Sequence, residues 1–123
     1  MGLINYAQAI NDVAEDVFSV AESKGFWNIE DISDFAIIPV KLALIGDEVS
    51  EALKVHRDIY DDSDESVATS MTDMQEDDFV EELADIVIRT MDLAAALDLD
   101  LGNAIINKIE KNRDRPNKHN KRY

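Results

Sequence analysis

The sequence predicts an all-α fold, a four-helix bundle in one domain over residues 1–123, and three observations carry that prediction. Apolar residues recur at spacings of three and four in four separate segments. Helix breakers are scarce, with two prolines and four glycines, while Ala, Leu, Ile, Glu and Asp abound. The hydrophobic share of 46% is enough for a packed core despite a net charge of -15.

The first helix is expected over residues 3–24, where Leu3, Tyr6, Ala7, Ile10, Val13, Ala14, Val17, Phe18, Val20 and Ala21 form one stripe. Gly25 supplies a stop, because glycine accepts the left-handed conformation that ends a helix. The segment "FWNIEDISDF" reads as a loop. Asp34 caps a second helix from about Phe35 to Asp58, with Pro39 near its first turn. The stretch "IYDDSDESVATSMTDMQ" is polar and acidic and reads as a long, mobile loop. Asp77 or a neighbour opens a third helix that runs to about Leu97. Asp100, in the short link "DLDLG", caps a fourth over Leu101 to Arg113, and Pro116 disfavours further helix. A basic tail occupies about residues 114–123. Short links and one long loop suit a bundle. A bundle this small leaves much of its apolar stripe uncovered, so a helix-to-helix partner is expected.

Several classes are excluded. Without cysteine there is neither a disulfide nor a thiolate metal site, which fits a reducing, cytoplasmic setting. The opening "MGLINYAQAINDVAED" lacks a basic leader and is interrupted by acids, so no signal peptide is expected. No apolar run approaches the roughly 18 residues of a membrane span. The acidity argues against nucleic acid as a partner. The closing "KIEKNRDRPNKHNKRY" is basic, unlike the rest. Carboxylates in the body suit metal ions, and a basic end suits an anion.

The acids of the second helix are the informative ones. At about 100° per residue, Ile38, Leu42, Ile45, Val49 and Leu53 share one arc, extended by Ile37, Leu44 and Val55. Asp47, Ser50, Lys54, Arg57 and Asp58 fill the opposite side. Glu48 projects between Leu44 and Ile45, and Glu51 near Leu44, so both lean toward the interior or a partner. An unpaired carboxylate there is costly unless a cation neutralises it. The third helix carries the same i, i+3 spacing at Glu82 and Asp85, on the border of an arc of Phe79, Leu83, Ile86, Val87, Ala94 and Leu97. Alone, that second pair reads more readily as a solvated flank than as a site. Facing the first pair, it makes an all-oxygen cluster of the kind hard cations prefer.

The ordered set Glu48-x-x-Glu51, a gap of about thirty residues, then Glu82-x-x-Asp85 resembles the signature of the all-α nucleoside triphosphate pyrophosphatases, the MazG-like group. "EELADIVIRTMDLA" is similar to that family's third helix, and "LGNAIINKIEKNRDRPNKHNKRY" to its end, with Lys, Asn, Arg and Pro in order. The likeness covers about residues 36–123.

The resemblance implies Mg²⁺-dependent cleavage of a nucleoside triphosphate, ribo or deoxy, between its α- and β-phosphates, as nucleotide-pool housecleaning. It implies Mg²⁺, with Mn²⁺ able to substitute, on Glu48, Glu51, Glu82 and Asp85, and a homodimer or homotetramer as the assembly. Asp47 stands where many members carry a further Glu, but it projects to the polar side and is not assigned. Glu51 is the candidate base. Lys108, Asn112 and Arg115 share one face of the fourth helix and its exit; the family binds phosphate with such residues, although Lys and Arg there also suit a helix C-terminus. Trp27, the single tryptophan, either stacks on the base or plugs the bundle. Arg89 either orients Asp85 or Glu82 or touches a phosphate. His56 reads as a packing residue, and His119 as surface. Two alternatives stay open: another nucleotide such as phosphoribosyl-ATP, or a non-catalytic helical module that binds cations.

Overall fold

The computed structural model describes residues 5–27, 35–62 and 70–116. Among them the chain is all-helical, with no strand: α1 Tyr6–Ser23, α2 Ile37–Asp62, α3 Asp73–Ala96 and α4 Leu101–Arg113. The central element is α3, which packs against both α1 and α2; α4 packs against α1. No helix among the described residues is long and apolar enough to cross a membrane.

Local chemistry explains most of the boundaries. Asn5 caps α1 by accepting from the Gln8 backbone N–H at 3.0 Å. At its other end Gly25 adopts φ 82°. Its N–H bonds the Glu22 carbonyl while that of Phe26 bonds the Ala21 carbonyl, both at 3.0 Å, which closes the paired C-terminal motif expected at Gly25. The same closure ends α3, with Asp98 in place of glycine at φ 55°. There the Asp98 N–H bonds Ala95 and the Leu99 N–H bonds Ala94. The start of α3 differs from expectation. Thr72, rather than Asp77, caps it, because Thr72 and Gln75 exchange hydrogen bonds in a reciprocal box that the acidic run obscured. Asp100 caps α4 as expected. Asp34 and residues 117–123 lie outside the described residues, as do 63–69 of the long loop.

The buried positions are mostly small. Ala7, Ala14, Ala52, Ala94 and Ala96 are buried, joined by Leu93 and Trp27. Small side chains let backbones approach, and Gly102 shows how closely. A Cβ there would stand 2.0 Å from the Ala7 carbonyl oxygen. Its N–H donates to Asn11 Oδ1 at 2.8 Å, and the Asn11 amide donates to Asp100 Oδ1 at 2.8 Å. The first turn of α4 is thereby tied to α1.

The packed side of α2 is only part of the arc expected. Ile37, Ile38, Leu44, Ile45 and Val55 are half-buried as expected, but Leu42, Val49 and Leu53 are 54%, 42% and 62% exposed. Lys41, Glu48, Ala52 and Ile59, outside that arc, complete the packed side at helical spacing with Ile45 and Val55. The helix carries two apolar stripes about 100° apart, and a wheel does not say which one its own chain covers. On α3, Phe79, Ile86, Ala94 and Leu97 turn inward as expected, while Leu83 and Val87 stay exposed.

Candidate functional site

Because α2 turns its Glu48 stripe toward α3, Glu48 meets the acids of that helix. Glu48, Glu82 and Asp85 each place one carboxylate oxygen within 4.8 Å of the others, and all three are half-buried. Two sit a turn apart on α3, and the third comes from across the helix pair. Burial and neighbouring like charges disfavour an ionised carboxylate. The Glu82 carboxyl is pushed above the usual range by desolvation first, then by Asp85, Glu51, Glu48 and Glu81. Glu51 therefore lies near Glu82, but it is exposed and outside the trio. Of the four expected ligands, three are brought together and the fourth flanks them.

Among the described residues, Arg89 supplies the positive charge paired with this cluster. Its Nε donates to Glu48 Oε1 at 2.6 Å, while the Glu48 side chain is 16% exposed. Of the two partners expected for Arg89, Asp85 or Glu82, neither is the one used. One guanidinium leaves three carboxylates with net negative charge. Hard oxygen donors, excess charge and partial burial are what a divalent cation fits. Glu48, Glu82 and Asp85 would hold it.

Beside the acids lies a cavity of about 330 Å³, walled by Glu48, Asp85 and Arg89 at one part and by Lys41 and Asp92 elsewhere. Its apolar wall includes Val17, Val20, Ala21, Leu44, Phe26 and Ile88. Trp27 builds this wall from behind. It is 3% exposed, packed edge-on to Phe18, and its Nε1–H is shared by both Asp92 oxygens at 2.8 Å. Lys41 Nζ lies 3.9 Å from the centre of the Trp27 ring and donates to the Phe26 carbonyl at 3.3 Å. The indole is thus a buried plug with no open face. Burial pushes the Asp92 carboxyl up, while the Trp27 hydrogen bond, Lys41 and Arg89 pull it down.

Lys108, Asn112 and Arg115 are exposed on α4 and just past it, and none lines the acid-walled cavity. That helix packs on α1, whereas the acids belong to α2 and α3. His56 is exposed rather than packed, and His119 lies outside the described residues. The expected set omitted Lys41 and Asp92. A signal was present: Lys41 precedes Glu48 by seven residues and Asp92 follows Asp85 by seven, two turns along the same faces.

No protein-family model matches the chain, and no curated protein and no solved structure matches it significantly.

Proposed function

We propose that the protein is a Mg²⁺-dependent nucleoside triphosphate pyrophosphohydrolase of the MazG-like kind. It would cut a ribo- or deoxynucleoside triphosphate between its α- and β-phosphates. The observation that carries this reading is the half-buried trio of Glu48, Glu82 and Asp85, of which Glu48 and Asp85 line a cavity. Glu48, Glu82 and Asp85 would hold the Mg²⁺, which would supply neutralisation of the triphosphate and a more acidic water. Glu51, near the trio but outside it, is the carboxylate free to accept that water's proton. The water oxygen joins phosphorus, the α–β anhydride bond breaks, and pyrophosphate leaves with the shared oxygen. Arg89 keeps Glu48 oriented and offers its remaining N–H groups to phosphate oxygens.

Self-association belongs to the same proposal. Leu42, Val49 and Leu53 on α2, with Leu83 and Val87 on α3, leave apolar surface that water does not favour. A second copy of the chain is the proposed cover. In such an assembly Lys108, Asn112 and Arg115 are available to the phosphates held by a neighbouring copy.

The test is turnover with product identity. Purified protein is given each common NTP and dNTP with and without Mg²⁺, and pyrophosphate and orthophosphate are assayed separately. Pyrophosphate with the matching monophosphate, only with Mg²⁺ and lost in Glu48→Ala and Glu82→Ala, is expected. Full activity in either folded variant, or orthophosphate alone, would contradict it.

A further inference from the structure

The cavity beside Glu48 and Asp85 has three charged groups that metal chemistry does not use, Lys24, Lys41 and Asp92. Lys24 is exposed, whereas Lys41 and Asp92 are fixed. The Asp92 carboxylate is aligned by the Trp27 indole, whose single N–H spans both oxygens at 2.8 Å. Each oxygen keeps lone-pair capacity after that bond, and Asp92 lines the cavity. Lys41 Nζ is held over the Trp27 ring and bonded to the Phe26 carbonyl, with further N–H groups left to donate. The wall therefore presents an acceptor and a donor in set positions, backed by a buried tryptophan.

Position along the helices completes the picture. Lys41 lies seven residues before Glu48 on α2, and Asp92 seven after Asp85 on α3. At the helical rise, each stands about 10 Å from the acids along its axis. That is a length a sugar and a base can fill. The volume, about 330 Å³, lies at the small end of ligand cavities, which run from roughly 300 to 1,000 Å³. Val17, Val20, Ala21, Leu44 and Ile88 suit a flat ring. Phe26, 67% exposed and on the wall, is the aromatic free to lie against it.

We infer that this cavity receives the nucleobase and that Asp92 and Lys41 select bases whose edge sets an amine beside a ring acceptor, namely cytosine or adenine. Asp92 accepts from the exocyclic amine, and Lys41 donates to the neighbouring acceptor. A 4-oxo group, as in uracil, would face the carboxylate with no hydrogen to offer. The inference rests on reading the acid trio as the triphosphate end of the site.

Binding without turnover tests it. Trp27 is the single tryptophan and touches Asp92 directly, so its fluorescence reports a ligand at that carboxylate. Cytidine and uridine 5′-monophosphates, which differ at the 4-position amine or oxo group and the adjoining ring nitrogen, are titrated in turn. The cytidine compound is expected to bind about tenfold or more tightly, the usual scale for an unmatched polar pair. In Asp92→Asn, which keeps an acceptor for Trp27 but adds a donor, the preference should shrink to within about twofold or reverse. Equal or tighter binding of the uridine compound by the wild type would overturn the inference. So would no change in Trp27 emission with either compound. Selective binding without triphosphate cleavage keeps the base site and removes the hydrolase reading. Cleavage of dCTP and dUTP at equal efficiency does the reverse.

Discussion

Replacing Gly102 with alanine should destabilise the protein despite alanine's better helix propensity. The added Cβ would meet three backbone atoms of Ala7, its oxygen at 2.0 Å, its carbonyl carbon at 2.7 Å and its Cα at 2.9 Å. Carbon-to-carbonyl contacts settle near 3.3 Å at closest, so α1 and α4 must part by roughly 1.3 Å. Forced overpacking costs about 1–3 kcal/mol. The separation also strains the Gly102 N–H bond to Asn11, and losing such a bond costs about 1 kcal/mol. The gain from replacing a helical glycine is at most about 1 kcal/mol. The net loss is then about 1–3 kcal/mol, a sizeable share of a total near 5–15 kcal/mol. Urea unfolding followed by far-ultraviolet circular dichroism measures it. With a slope of about 1–3 kcal/mol per molar, the midpoint should fall by roughly 1 M at unchanged slope. Adding Ala7→Gly should not rescue the variant, because the collision is with backbone. An unchanged midpoint, or rescue by Ala7→Gly, would refute the reasoning.

Asp98→Gly should stabilise the chain by about 0.5–1 kcal/mol, since Asp98 holds φ 55°, a region that favours glycine; a lower urea midpoint would count against it. The Asp100 carboxyl is held below its usual range by the Asn103 side chain first, then by Asn11 and the Asn103 backbone N–H. With its folded value depressed, its contribution is present above the ordinary aspartate range near 3.9 and is lost as pH falls through the folded value. Wild type should therefore lead Asp100→Asn in stability at pH 7, and that lead should shrink at pH 3; a constant difference in urea midpoints would contradict this. Leu53→Glu places a charge on exposed apolar surface of α2 and should leave helix content unchanged. By sedimentation it should convert the proposed assembly to the 13.8 kDa chain, and an unchanged sedimentation coefficient would remove this face from the proposed interface.

Much of the architecture was legible in the sequence because it is written locally. Periodicity located four helices, Gly25 and Asp100 marked two of their ends, and Glu48 marked one face of α2 as Glu82 and Asp85 marked one face of α3. What was not legible depends on choices between near-equal options. The Leu42–Val49–Leu53 stripe and the Ile45–Ala52–Val55 stripe both read as core, and only the docking of α3 separates them. The same rotation explains why Glu48 turns inward while Glu51, three residues on, stays exposed. Thr72 was masked by the acids around it, although its box with Gln75 is a local signal. The Arg89 bond to Glu48, 41 residues away, and the Trp27 bond to Asp92, 65 residues away, are tertiary and carry no short-range mark.

That Glu48, Glu82 and Asp85 form one divalent-cation site is tested most directly by binding of Mn²⁺, a spectroscopic stand-in for Mg²⁺, followed by electron paramagnetic resonance. Wild-type protein should bind Mn²⁺ saturably and yield it to excess Mg²⁺. Glu82→Gln should bind at least about tenfold more weakly while keeping its helix content. Equal Mn²⁺ affinity in wild type and Glu82→Gln would contradict the site.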